Sequence, residues 1–303
     1  MTRPARILAA TFLTAAAVLS TEIILTRVFS VLMWYHFAFL AISVCLFGMA
    51  VGSLALHLFG RNLREDDLPI HLGRAAIGFA ATQFLCVVVL RFLKYGDMNI
   101  GAAFAAKMAL TFLVCAAPFA FAGFFLGLVF SRGAARIGGI YFADLAGASL
   151  GCLLTIALLT HFGGESALLA AAFIALCGGL VAGRISFTRP VFLQQLGAAA
   201  VVVALIAANQ YTGFLNVRHS KGNDEPEPAA VGWNSFSRVI AYPRPDVGDI
   251  MLKIDGIAHT PITPFHGDAA VTQDPAGYIQ RVPFAFYDNP RCSSSVPAAA
   301  NTF

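Results

Sequence analysis

Three ionisable side chains lie inside long apolar stretches of this 303-residue sequence. Glu22 and Arg27 share the first stretch, and Asp144 lies in the segment YFADLAGASLG. Such residues mark functional sites by default, because charge is costly in hydrocarbon. Glu22 and Arg27 are about 140° apart around a helix, so each is expected to reach another helix. The three residues predict either a polar site in the interior of a bundle, for a cation or a proton, or structural bridges between helices.

The composition is typical of a membrane protein. Hydrophobic residues make up 58% of the chain and charged residues 12%, against roughly 45–50% and 25% in soluble domains. This excludes a disordered chain and argues against a soluble enzyme over the full length. The sequence has no dense basic block and no Cys-x-x-Cys pair, so neither nucleic acid nor a metal is an expected partner.

Seven apolar runs approach or exceed the roughly 20 residues that cross a bilayer. The first follows two arginines but is too long for the core of a signal peptide, so we interpret it as a retained helix. The fold class predicted is a mainly α membrane protein, with about seven transmembrane helices in residues 1–210 followed by a small β-rich domain. The runs are roughly 7–31, 34–59, 74–95, 102–131, 137–161, 165–183 and 191–210.

The distribution of arginine predicts the orientation. Positive charge favours the cytoplasmic side of short loops, and here arginines precede the first run and lie in alternate loops. We therefore predict an integral protein of the bacterial inner (plasma) membrane, with the lipid bilayer as partner and the N-terminus in the cytoplasm. The arginines concerned are Arg3, Arg6, Arg61, Arg64, Arg74, Arg132, Arg136, Arg184 and Arg189.

Pairs of glycines spaced four apart predict close helix contacts. The spacing puts both small residues on one helix face, where they let two backbones approach. It occurs four times, in GMAVG (48–52), GFFLG (123–127), GASLG (147–151) and GLVAG (179–183). Four repeats predict a tightly packed bundle, and a homo-oligomer stays open.

The tail after the last apolar run is polar at first and then strand-like. Residues 211–232 predict a linker, and residues 233–290 a small β unit. Strands are expected at 237–242, 250–256 and 257–265. The Asp255–Gly256 step predicts a hairpin turn.

The tail resembles a known family through WNSFSRV (233–239), KIDGIAHTPI (253–262), FHGD (265–268) and Tyr278. These motifs are similar to the N-terminal β-domain of spermidine synthases. They resemble more closely the multi-pass membrane proteins that carry a spermidine-synthase-like domain, and YFADLAGASLG resembles the same group. The resemblance implies transfer of an aminopropyl group from decarboxylated S-adenosylmethionine to a polyamine. That cofactor would be bound by a Rossmann-like domain that follows the β-domain.

The resemblance also implies roles for three residues, none of them catalytic. His259 occupies the position of a glutamine that contacts the cofactor. Tyr278 matches a tyrosine that lines the amine pocket, and Gln280 replaces a glutamate that follows it. The resemblance therefore assigns cofactor binding to His259 and substrate binding to Tyr278 and Gln280.

The C-terminal residues 291–303 do not resemble the family. The first strand and glycine-rich loop of the Rossmann-like domain should begin there, and a one-base shift with G/C-rich codons reads VLVVGAGGGEHV. We therefore expect residues 291–303 to be a disordered or frame-shifted tail and the truncated chain to be inactive. Two other functions stay open: a transporter or channel for a small solute with an accessory β domain, and a non-enzymatic membrane anchor.

Overall fold

Six α-helices and a small sheet region make up the described part of the protein. The computed structural model describes residues 3–60, 63–64, 67–95, 101–133, 136–183, 189–246 and 248–262. The helices are α1 (Arg3–Leu32), α2 (Leu40–Phe59, preceded by a 3₁₀ turn at Tyr35–Phe39), α3 (Leu68–Phe92), α4 (Ala102–Arg132), α5 (Ile137–Gly183) and α6 (Arg189–Thr212). The strands are β1 (His219–Ser220), β2 (Asn223–Asp224), β3 (Ala230–Trp233), β4 (Arg238–Arg244), β5 (Asp249–Ile254) and β6 (Ala258–Ile262).

Among the described residues, six helices are long and apolar enough to cross a membrane. This confirms a multi-pass, mainly α membrane protein with a small β region, but not the predicted count of seven spans. The spans predicted at 137–161 and 165–183 both fall within the 47-residue helix α5. Helix α3 also begins six residues earlier than predicted, at Leu68, because Pro69 suits the first turn of a helix.

Helix α5 is interrupted at Gly163, whose φ of 75° and ψ of 172° are not helical. Before this residue, Gly147 touches Phe12 of α1 and Gly151 touches Ala16. After it, Gly164 lies by Val28, near the other end of α1, and Gly178 lies back beside Ala10 and Thr14. The two segments of α5 therefore run along α1 in opposite directions.

The glycine pairs lie at helix contacts, as their spacing predicts. A Cβ built at Gly52 of α2 would lie 1.9 Å from the carbonyl oxygen of Ala120 in α4, and one at Gly123 of α4 would lie 2.4 Å from that of Met49. Two of the four motifs thus face each other across α2 and α4. Such contact lets backbones pack without side chains between them.

The interior of the bundle is apolar, with few polar groups. Phe29, Phe79, Phe119 and Leu168 are fully buried in one cluster shared by α1, α3, α4 and α5. The amide of Gln195 on α6 inserts between three glycines, and built Cβ atoms at Gly73, Gly179 and Gly183 would lie 2.4, 2.7 and 3.2 Å from it. The small residues therefore make room for a polar side chain as well as for backbone.

The β unit is an antiparallel meander in the order β3-β4-β5-β6, with β1 and β2 as a separate hairpin. The predicted turn is present, because Asp255 and Gly256 both have positive φ, 49° and 71°. Strand β4 continues past the predicted end at residue 242, through Pro243, which pairs with Ile250 of β5. Residues 263–303 lie outside the described residues.

The segment predicted as a linker is built into the structure. It contains β1, β2 and most of β3, and Leu215, Val217, His219 and Ser220 are buried in it. Its polar, proline-bearing composition is typical of a linker. The groups that its residues bind lie on distant helices, so the composition gives no sign of these contacts.

Candidate functional site at the junction of the bundle and the β unit

One contact of the tail with the bundle lies at the C-terminal end of α1. The last carbonyl groups of a helix have no partner within the helix. Here the backbone N–H of Lys221 donates to the carbonyl of Leu32 (3.0 Å), and the Ser220 hydroxyl donates to that of Val31 (2.7 Å). The Lys221 ammonium reaches the carbonyl of Ser30 at 3.3 Å. A cation at this position also suits the helix dipole.

The chain that leaves α6 is held by two buried polar side chains. Glu165, just after the interruption in α5, accepts the backbone N–H of Val217 at 2.8 Å. Asn209 of α6 accepts the N–H of Leu215 at 2.7 Å and donates to the hydroxyl of Ser166 at 2.8 Å. One oxygen of the Glu165 carboxylate is therefore bonded to the segment that it positions.

A buried ion pair lies behind this segment. Arg238 of β4 and Glu225 are 2.9 Å apart, and their side chains are 4% and 5% exposed. The guanidinium also donates to the carbonyl of Val217 at 2.9 Å. Burial, together with the Glu225 carboxylate, raises the pKa of Tyr242 to about 12. A pair so deeply buried is strongly destabilising when one partner is removed.

Two motifs that carried the family resemblance meet at Arg238. The backbone N–H of Arg238 donates to the carboxylate of Asp255 (2.8 Å), and the N–H of Asp255 donates to the backbone carbonyl of Arg238 (2.9 Å). Asn234 accepts the N–H groups of Phe236 and Ser237 at 2.8 and 2.7 Å. WNSFSRV and KIDG therefore lock together at one end of the sheet.

The side chain of Trp233 packs the sheet against the bundle. A Cβ built at Gly163 would lie 3.1 Å from Cδ1 of the indole ring, and one at Gly164 would lie 2.8 Å from Cη2. The Arg238 guanidinium lies 5.9 Å from the centre of the same ring. The indole ring therefore packs against Gly163, where α5 is interrupted, and against Gly164, which follows it.

A second contact joins the tail to the end of α3. The ring Nε2 of buried His219 is 3.0 Å from the carbonyl of Leu93, to which it donates. Burial lowers the pKa of His219, and nearby Arg91 and Lys94 lower it further, while Asp224 and the bond to Leu93 oppose this. Neutral histidine is therefore the form that suits this site.

Glu165, Trp233 and the ion pair of Glu225 with Arg238 border a cavity of about 290 Å³. It holds both carboxylates and guanidinium groups, so its chemistry suits a small polar solute rather than an apolar one. Its charged and aromatic lining residues are Glu165, Arg218, Glu225, Glu227, Trp233 and Arg238.

The polar residues predicted within the membrane do not form one site. Arg27 donates to the carbonyl of Phe236 at 3.0 Å, so it reaches the β unit rather than another helix, because it lies near the end of α1 that the tail covers. Glu22 is half-buried beside the thiol of Cys45 on α2. Asp144 is half-buried on α5, one turn before Gly147.

The residues implied by the family resemblance are not brought together in the described part of the chain. His259 lies exposed on β6, with its Nδ1 3.3 Å from the carbonyl of Ile257. Tyr278 and Gln280 lie outside the described residues. Sequence reasoning missed Glu165, His219, Glu225 and Arg238, because nothing in a polar stretch distinguishes a buried charge from an exposed one.

Comparison with known proteins adds no relative: no family model, no curated protein and no solved structure matches the chain.

Proposed function

We propose that the protein is a membrane platform that crosses the bilayer seven times and holds its β unit in a fixed position at the membrane surface. The observation that carries this proposal is the docking of the tail, in which Lys221 binds the end of α1, Trp233 rests on Gly164, and Glu165 binds Val217. A tether that only linked two domains would need none of these buried contacts.

The proposed count of seven rests on the reversal at Gly163. A straight helix of 47 residues would be about 70 Å long, more than twice the hydrocarbon core of a bilayer. Contacts along α1 instead support two crossings, one on each side of Gly163. With seven crossings the N-terminus and the β unit lie on opposite sides, and the arginine distribution favours a cytoplasmic N-terminus.

Labelling in intact cells tests this topology. Cysteines would replace Arg64, at the arginine-rich end, and Ile257, in the β5–β6 turn, in a background without Cys152 and Cys292. An impermeant maleimide is expected to label position 257 in intact cells and position 64 only after lysis. Labelling of both positions from the same side would contradict seven crossings.

The biochemical role proposed for the platform is that of a membrane member of the spermidine-synthase-like family. Its support is the pattern of motifs, since WNSFSRV and KIDG are adjacent in the sheet and bonded through Arg238 and Asp255. In that family, decarboxylated S-adenosylmethionine gives up its aminopropyl group to a polyamine. His259, on the exposed strand β6, is the described residue proposed to contact this cofactor.

Cofactor binding tests this role separately from the docking. Membranes from cells that express the protein are expected to bind radiolabelled decarboxylated S-adenosylmethionine, and His259→Ala should weaken that binding. Lys253→Ala, which alters the neighbouring strand opposite His259, is the control. Binding equal to that of empty membranes would reject the aminopropyl role while leaving the platform untouched.

Transport of a small solute is a second candidate, favoured by one observation. The amide of Gln83 is fully buried in α3, and neither its nitrogen nor its oxygen has a partner within the described residues; the same holds for the hydroxyl of Thr21 in α1. An unsatisfied amide in hydrocarbon is costly, and a polar solute or water beside Gln83 would remove that cost. Solute uptake into proteoliposomes that is lost in Gln83→Leu would favour transport over the platform alone.

A further inference from the structure

A large cavity lies at the end of the bundle opposite the β unit. Its volume is about 620 Å³, and four helices contribute to it. The wall is formed by Pro4, Ile7 and Leu8 of α1, Leu68 at the start of α3, Val129 near the end of α4, and Ile137, Gly138, Gly139 and Ile140 at the start of α5. The floor is therefore apolar.

Two arginines provide the charged lining of this cavity, and no acidic residue is among its described lining. Arg132 and Arg136 are both exposed, at the end of α4 and just before α5. Arg132 is oriented by a bond of 2.8 Å to the carbonyl of Leu63. An adjoining cavity of about 240 Å³ shares Arg132 and adds Arg64 and His71.

The position of the cavity restricts what can enter it. All its lining residues lie at helix ends, the level at which the hydrocarbon of a bilayer meets the headgroups. An apolar solute would gain nothing from the arginines, and a free anion would gain nothing from the apolar floor. An anionic amphiphile uses both, and basic pockets between transmembrane helices are known to bind anionic headgroups.

We propose that this cavity binds an anionic phospholipid. An acyl chain lies along Ile7, Leu8 and Ile140, and the phosphate lies beside Arg132 and Arg136. The proposal depends on membrane insertion but not on the platform or the aminopropyl role.

Two variants test the two halves of the site. Gly139→Phe adds an aromatic ring at the cavity wall, since a Cβ at Gly139 would lie 3.6 Å from Leu8 in ordinary contact. Its control is Gly197→Phe on α6, where a Cβ meets no atom within 4 Å. Arg136→Gln removes charge without altering the packing of the helices.

The measurement is the lipid retained by the purified protein, determined by native mass spectrometry after extraction from membranes that contain phosphatidylglycerol and phosphatidylcholine. The wild type and Gly197→Phe are expected to retain phosphatidylglycerol selectively, and Gly139→Phe to lose it. Arg136→Gln should bind it roughly fivefold more weakly, as expected for one arginine near a headgroup.

Three results would overturn the proposal. Equal retention of both lipids would mean an apolar groove without preference for an anion. Competition of inorganic phosphate with phosphatidylglycerol at equal concentration would mean a phosphate site without a lipid. Unchanged retention in both Gly139→Phe and Arg136→Gln would mean that the lipid binds elsewhere.

Discussion

The indole ring of Trp233 lies directly against Gly164, so closely that a Cβ at this glycine would be 2.8 Å from Cη2 and 2.9 Å from Cζ2 of the ring. Trp233 ends strand β3, and Gly164 follows the interruption in α5. The contact joins the soluble and membrane parts of the chain at the point where α5 turns back along α1.

Gly164→Ala should therefore weaken the docking of the β unit. The added methyl group would also lie 3.2 Å from Val28, so the rigid ring has to move. Overpacking of this kind costs about 1–3 kcal/mol. Limited proteolysis within residues 221–232 should become faster than in the wild type. Gly232→Ala, where a Cβ meets no atom within 4 Å, is the control, and equal rates for the two variants would contradict the contact.

Replacing Arg238 alone should lower the free energy of unfolding more than replacing both Arg238 and Glu225 by neutral residues. Arg238→Met leaves the Glu225 carboxylate buried without its partner, which costs about 3–5 kcal/mol. Adding Glu225→Gln should restore part of that stability. Urea unfolding followed by Trp233 fluorescence, in a Trp34→Phe background, measures both. Lys253→Met is the control with a partly exposed cation, and additive losses in the double variant would argue against a coupled pair.

Docking of the tail should weaken as the pH falls below about 6.5, the ordinary pKa of histidine. Burial lowers the pKa of His219 in the folded protein, so the unfolded tail binds a proton first and stability is lost on acidification. Arg91 and Lys94 act in the same direction, and Asp224 opposes them. The rate of proteolysis of the tail between pH 7 and pH 5 measures this loss.

The control for this acid effect is His219→Gln, whose amide can still donate to the carbonyl of Leu93 but does not titrate in this range. It should remove most of the dependence between pH 7 and pH 5. Loss at lower pH would remain, because the pKa of Asp224, which Lys94 holds down by a hydrogen bond, lies below its usual range. An unchanged profile in His219→Gln would show that another group causes the effect.

Close packing of α2 against α4 predicts a steep dependence on side-chain size. Gly52→Ala would put a Cβ 1.9 Å from the carbonyl oxygen of Ala120, so two backbones must separate. The Cβ of Gly127→Ala would come closest to the flexible end of Leu56, at 3.1 Å, with the Ser53 hydroxyl in ordinary contact at 3.7 Å. The midpoint temperature of unfolding in detergent should fall clearly with Gly52→Ala and little with Gly127→Ala. The reverse order would contradict the packing.

Much of the bundle could be predicted from the sequence, because length and hydropathy define a membrane helix. The glycine pairs also predicted contacts now seen at Gly52 and Gly123. The predicted runs 137–161 and 165–183 leave a gap at 162–164, and Gly163, where the backbone leaves helical geometry, lies in that gap. What hydropathy could not provide is the packing of both segments along α1.

The junction was largely beyond prediction. Glu165 is the first residue of a predicted span, and His219 and Glu225 lie in the predicted linker. Their partners are Val217, Leu93 and Arg238, up to 126 residues away. Sequence spacing carries no information about such contacts. The Asp255–Gly256 turn was predictable because its signal is local.

Amide hydrogen exchange at Val217 and Lys221 tests the fixed platform most directly. Their N–H groups bind Glu165 of α5 and Leu32 of α1, so they exchange only when the tail leaves the bundle. In lipid nanodiscs, both amides should be protected to about the same degree as those of β4 and β5. Exchange at the rate of an unstructured peptide at both positions, while β4 and β5 stay protected, would show a β unit that is folded but merely tethered, and would contradict the account.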